Sequence, residues 1–134
     1  MAKLLDVEGI GEAYAKKLKA AGVATTQALL ERGATPKGRR EIADAAGISP
    51  KLVLEWVNHV DLFRIKGVGE EYADLLEAAG VDTVPELAQR NAENLYHQLH
   101  EVNQKKKLVR RPPSQAEVSA WVAQAKTLPR KVTY

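Results

Sequence analysis

Five cations within seven residues are the feature of this chain with the clearest chemistry. They are Lys105, Lys106, Lys107, Arg110 and Arg111. The whole chain has a formal net charge of +3, so without these five charges the rest sums to −2. Such localised charge is typical of a surface that binds phosphates. If all five cations neutralised phosphates, the logarithm of the binding constant would fall with the logarithm of salt concentration at a slope of about −4.5.

Two glycine turns, Gly9-Ile10-Gly11 and Gly67-Val68-Gly69, are the second feature that can bind an anion. Each precedes a predicted helix, so its amides lie where the partial positive charge of a helix N-terminus accumulates. The glycines of each turn can adopt backbone angles closed to residues with a Cβ, and without side chains they allow another backbone to come close. The candidate phosphate contacts are Gly9, Gly11, Gly67 and Gly69, with Lys16 and Lys17 after the first turn and Lys66 before the second.

Acidic residues beside the turns oppose this interpretation. Glu12 follows the first turn, and Glu70 and Glu71 follow the second. Carboxylates there interact favourably with the helix dipole, by about 0.3–1 kcal/mol, but they repel an incoming phosphate. A purely structural role for each turn therefore stays open, as does a solvated basic segment that contacts nothing.

Residues for catalysis or for a metal site are sparse. There is no cysteine, and neither a G-x-S-x-G nor a P-loop motif occurs. His97 and His100 can share a helix face, but a metal site needs three or four ligands. Trp56 and Trp121 lie on apolar faces and are predicted to be core anchors rather than base-stacking platforms. We therefore expect no enzyme activity, no cofactor and no metal.

The composition favours short, closely packed helices. Apolar residues make up 45% of the 134 residues and aromatic residues only 5%, while alanine occurs 20 times. No apolar run approaches the roughly 18 residues of a membrane span, and the start lacks a signal-peptide pattern. A cytoplasmic chain without a membrane partner is the expectation.

An internal duplication organises the chain. Residues 6–23 and 64–81 are identical at 10 of 18 positions, at an offset of 58. A second match, of 48–57 with 113–122, has an offset of 65. The second copy therefore carries about seven extra residues, which fall within the basic insertion 103–113.

The predicted copies are residues 1–62 and 63–134. Caps and apolar spacing predict helices that begin near Gly11, Thr25 or Thr26, Thr35, Ser49, Glu70, Thr83, Ala92 and Ser114. The helix from Ala92 is predicted to end near residue 102, with the cations in a loop, and Arg130 and Lys131 lie near a terminus, where disorder is common. No linker separates the copies, so we expect a chain cut near residue 62 to leave two poorly folded halves.

The G-h-G turn, with Ala15 or Ala73 four residues after it, resembles the helix-hairpin-helix motif. This resemblance implies an all-α fold of two tandem helix-hairpin-helix (SAM-like) repeats, packed into one compact unit. Members of that superfamily commonly bind DNA backbones without reading sequence. Other members use the fold only for packing within the protein or to bind another protein. The wider pattern, which runs from GIGEAYAKKLKAAGV to the tryptophan helix, resembles a bacterial family known only as a domain of unknown function.

Two functions follow as hypotheses. The first is a non-sequence-specific nucleic-acid-binding module that contacts the nucleic-acid backbone. Double-stranded DNA is the expected ligand, and RNA is the alternative ligand. The second is a protein–protein interaction adaptor that uses the helix-hairpin-helix fold as a scaffold. A continuous positive patch would favour the first, and a contiguous apolar surface would favour the second.

Overall fold

The fold is entirely helical in a computed structural model that describes residues 3–7 and 9–134. These residues contain eight α-helices and one short 3-10 helix, and no strand occurs among them, which confirms the all-α prediction. After the 3-10 helix Leu4–Asp6 come α1 (Glu12–Ala20), α2 (Thr26–Arg32), α3 (Pro36–Ala46), α4 (Pro50–Leu62), α5 (Glu70–Ala78), α6 (Val84–Ala88), α7 (Ala92–Lys106) and α8 (Gln115–Thr127). None of the described helices is both long enough and apolar enough to cross a membrane.

Side-chain caps explain where most of these helices begin. In five of them an oxygen of the preceding residue accepts a hydrogen bond from a backbone N–H of the first turn. The capping residues are Thr25, Thr35, Thr83, Asn91 and Ser114. The helix starts predicted at these positions are confirmed, with Thr25 rather than Thr26 as the cap of α2.

Two compact units make up the structure. The first reaches Asp61 and also contains Lys131–Tyr134. Its core includes Leu18, Leu29 and Ile42, all without exposed surface. Trp56 is 2% exposed and meets the ring of Tyr14 edge-on, with 5.1 Å between ring centroids, which confirms its predicted place in the core.

The last four residues, Lys131–Tyr134, form an ordered C-terminal tail within the first unit, unlike the disordered end that is common at termini. Val132 is only 2% exposed. The backbone N–H of Thr133 donates to the carbonyl of Ala34 at 2.8 Å, and the buried Arg39 guanidinium donates to the carbonyl of Thr133 at 2.7 Å. Apolar burial and a buried charge-assisted hydrogen bond together hold the tail in place.

The second unit, Leu62–Arg130, packs α8 against α6 and α7. Trp121, at the centre of α8, is 3% exposed, and its ring lies 5.1 Å from that of Tyr72. Trp121 is therefore a core anchor, as predicted. The Tyr72–Trp121 pair fixes the start of α5, the helix that follows the second glycine turn.

Candidate nucleic-acid interface

The two glycines of each turn have different roles. Gly9 and Gly67 have φ angles of +90° and +94°, in the left-handed region that favours glycine. A Cβ on either would also come within 3.2 Å of a tryptophan indole nitrogen, that of Trp56 for Gly9 and that of Trp121 for Gly67. The first glycine of each turn is thus required by the fold.

Gly11 and Gly69, the second glycines, are not required in this way. Their φ angles, −85° and −98°, are accessible to any residue, so this pair does not use the conformational freedom of glycine. A Cβ on either would meet no atom within 4 Å. The space in front of each second glycine is open to a partner.

Helices α1 and α5 also lack the side-chain caps that begin five other helices. Gly11 and Gly69 occupy their N-cap positions, and no side chain among the described residues accepts a bond there. The first N–H groups of a helix need acceptors from outside it. Since the chain supplies Ser, Thr or Asn caps elsewhere, these two ends are where an external acceptor fits best.

We predict that alanine separates the two glycine roles in a thermal or denaturant melt. Gly67→Ala is expected to lower the free energy of unfolding by about 2 kcal/mol or more, because it combines a positive φ with a close approach to Trp121. Gly69→Ala is expected to cost less than about 1 kcal/mol, the scale of an altered N-cap. Equal losses in the two variants would contradict this assignment of roles.

The basic segment, defined as residues 105–111, begins at the end of a helix and continues as a loop. Helix α7 continues to Lys106, so the predicted helix end near 102 is wrong, and Lys105 and Lys106 lie on the last helical turn. Lys107 ends the helix in a left-handed conformation, with φ of 50°. Straight-chain residues favour a helix, and cations suit its C-terminal end, which explains the extension.

Side chains from two helices hold the loop part of the basic segment. The Asn103 amide accepts from the N–H of Val109 at 3.0 Å and donates to the carbonyl of Val109 at 3.2 Å. The hydroxyl of Tyr72, on α5, donates to the carbonyl of Arg111 at 2.9 Å. Burial raises the pKa of this phenol above its ordinary value. The loop is therefore preorganised rather than free.

The second glycine turn and the basic segment line one open cavity of about 450 Å³. We call it the second-unit groove; its lining residues are Gly67, Gly69, Glu70, Glu71, Tyr72, Arg110 and Arg111. Four predicted phosphate contacts thus lie together, although Arg110 is more than 40 positions from Gly69 in the sequence. The groove also contains the two carboxylates that oppose phosphate binding.

Two of the five cations of the basic segment form ion pairs with glutamates. The Arg111 guanidinium donates to both carboxylate oxygens of Glu117, at 3.0 and 3.1 Å, which raises the pKa of Arg111 and lowers that of Glu117. Lys105 lies 3.5 Å from a Glu101 oxygen. Lys106, Lys107 and Arg110 are exposed and form no ion pair with any described residue. These three are the cations available to a ligand.

Residues 8–128 match the family model described as a domain of unknown function (DUF4332). The chain belongs to this family. Both glycine turns, the basic segment and helix α8 fall within the DUF4332 match, whereas the C-terminal tail lies beyond it. The predicted resemblance to a family of unknown function is confirmed. No solved structure matches the chain.

The remaining predicted contacts of this DUF4332 chain are not among the residues that line the second-unit groove. The exposed Lys66 precedes the second turn, and its backbone N–H donates to the side chain of Gln124 at 2.7 Å. In the first unit the Lys17 ammonium lies 5.7 Å from the centre of the Tyr14 ring. Lys16 lines a different cavity, beside Leu5. Gly9 and Gly11 repeat the turn geometry of the second unit, but their copy has no basic insertion.

Sequence reasoning missed the residues that hold the loop. Neither Asn103 nor Tyr72 lies in a sequence motif that predicts its hydrogen bonds to the loop. His100, for which a metal site was considered and not expected, has its Nε2 3.0 Å from the carbonyl of Pro113 and packs on the Tyr96 ring, with 4.4 Å between ring centroids. The position of these residues around the insertion was the only available signal.

Proposed function

We propose that this protein binds nucleic-acid backbones without reading sequence, with double-stranded DNA as its main ligand. The observation that carries the proposal is the second-unit groove, where an uncapped helix start and Arg110 lie in one cavity. A phosphate oxygen there would accept from the first amides of α5, and Arg110 would neutralise its charge. The proposal is one of binding without catalysis, in the cytoplasm.

A tandem helix-hairpin-helix architecture is part of this proposal. In its support, the middle residues Ile10 and Val68 are each 4% exposed and each donate a backbone hydrogen bond three residues back. The flanking glycines have matching conformations in the two copies. Two equivalent turns would offer two backbone contacts, which suits the regular phosphate spacing of a duplex.

Backbone contact fits the available donors better than base recognition does. Amides, ammonium groups and a guanidinium bind phosphate oxygens, which carry no sequence information directly. Single-strand binders commonly stack bases on exposed aromatic rings. Both tryptophans are buried, at 2% and 3% exposure, so neither offers such a platform.

A protein–protein adaptor is the second candidate. It is favoured by Glu70 and Glu71, which line the same groove and would repel a phosphate at the α5 amides. The pairing of Arg111 with Glu117 also removes one cation from that surface. In this alternative the groove docks a protein segment.

Fluorescence anisotropy of a labelled short DNA duplex across a salt series tests the proposed function. With Lys106, Lys107 and Arg110 as the engaged cations, we expect micromolar binding and a log–log salt slope of about −2.7, shallower than the −4.5 of five contacts. Duplexes of unrelated sequence should bind equally, and a double-stranded RNA measures the preference for DNA. Absence of binding at low salt would contradict the proposal and favour the adaptor.

A further inference from the structure

An apolar groove in the first unit is lined by lysines. Two adjoining cavities, of about 300 and 190 Å³, share Leu5, Ala15 and Lys19 as lining residues. We call them together the first-unit groove. Leu5 is 53% exposed, whereas the core side chains around it are buried. A lone exposed leucine needs no explanation, but this one forms the wall of a recess.

The charge around this groove is positive. Lys16 lines one cavity, Lys3 lines the other, and Lys19 lines both. All three are exposed and form no ion pair with any described residue, and Glu12 is the one carboxylate that lines either cavity. The aliphatic stems of lysines extend the apolar surface while their ammonium groups stay in water.

The second copy shows that the repeat does not require these lysines. At the offset of 58, Leu5, Lys16 and Lys19 correspond to Phe63, Asp74 and Glu77. The apolar residue is kept, while two cations are replaced by acids. The lysines beside the first-unit groove are therefore specific to the first copy, and neither the glycine turn nor the core of the repeat requires them.

We propose that the first-unit groove docks an amphipathic helix of a partner protein whose apolar stripe is flanked by acidic residues. Leu5 and Ala15 would contact the stripe, and Lys3, Lys16 and Lys19 would face the acids. From residue 12 to residue 19 the α1 axis rises about 10 Å, enough for two turns of a docked helix. An apolar wall is a poor surface for phosphates, so a peptide fits better than a nucleic acid.

Two synthetic peptides of about 16 residues, four helical turns each, provide the test. Both carry leucines at helical i, i+4 and i+7 positions; one has glutamates and the other lysines beside that stripe. Their binding to the full chain is measured by fluorescence anisotropy. The protein variants are Leu5→Asp, the double variant Lys16→Glu/Lys19→Glu, and the control Lys37→Glu/Lys51→Glu, which changes exposed lysines elsewhere in the first unit.

We expect the acidic peptide to bind at least about tenfold more tightly than the basic one, and each groove variant to weaken it by at least about tenfold. The control should leave its affinity unchanged. The Lys16→Glu/Lys19→Glu variant should in turn prefer the basic peptide, a reversal that a folding defect cannot produce.

Several outcomes would overturn the docking proposal. One is equal binding of the two peptides, and another is unchanged peptide binding in Leu5→Asp. A third is self-association of the wild type in sedimentation that Leu5→Asp abolishes, because this result would assign the groove to a second copy of the chain. Loss of duplex binding in Lys16→Glu/Lys19→Glu, with no peptide bound, would assign the groove to nucleic acid. The proposal stands independently of the second-unit groove, whose test changes other residues.

Discussion

Reversing the charges of Lys106, Lys107 and Arg110 to glutamate is expected to weaken duplex binding at least about 100-fold at low salt and to flatten the salt dependence. These cations are exposed and without an ion pair among the described residues, so they are available to phosphates. Their reversal puts three carboxylates where phosphates would bind. The measurement is the anisotropy titration of a labelled duplex at several salt concentrations.

A matched control separates local contacts from net charge. Lys37→Glu/Lys51→Glu/Lys126→Glu makes the same change in net charge at three other exposed lysines. We expect it to weaken binding far less, because none of these three lysines belongs to the basic segment or lines the second-unit groove. Equal effects of the two triple variants would show that only the overall charge matters and that the basic segment is not a binding site.

Removing the C-terminal tail, so that the chain ends at Arg130, is expected to lower the stability of the first unit by about 3–5 kcal/mol. Val132 is buried at 2% exposure, and its loss leaves an apolar recess in the core. The Arg39 guanidinium, itself 6% exposed, loses its acceptor on Thr133. A hydrogen bond from a charged donor contributes about 1.5–3 kcal/mol.

Thermal denaturation followed by circular dichroism measures this effect. We expect the melting temperature of the first unit to fall by at least about 10 °C. The control is Tyr134→Phe, which removes the exposed hydrogen bond from the Tyr134 hydroxyl to Asn58 and is expected to cost less than about 1 kcal/mol. A truncated chain that melts within about 2 °C of the full chain would contradict the role of the tail. A fragment ending at residue 62 also lacks the tail, which gives a further reason to expect it to fold poorly.

Local signals explain why most helices could be predicted. Thr25, Thr35 and Ser114 each satisfy a backbone N–H of the turn that follows, a preference that acts over three residues and is therefore visible in sequence. Trp56 and Trp121 were correctly placed in the core because the duplication aligns them on matching apolar faces. The end of α7 was missed because nothing between residues 103 and 106 breaks a helix.

The groove and the tail could not be predicted, because long-range contacts create them. The hydroxyl of Tyr72 reaches a carbonyl 39 residues away, and Arg39 reaches one 94 residues away. Neither pairing leaves a spacing or motif in the sequence. The glycine roles were only partly predicted, because open space in front of Gly69 is a property of the folded chain.

The proposed function requires that the second glycine turn and the basic segment bind one ligand together. A titration of the ¹⁵N-labelled chain with a short DNA duplex, followed by amide chemical shifts, tests this requirement. We predict that the amides of residues 69–72 and of residues 107–110 shift together and saturate with the same dissociation constant. Shifts confined to residues 107–110, with the Gly69 amide unmoved, would contradict the claim and reduce the interaction to charge attraction by a loop.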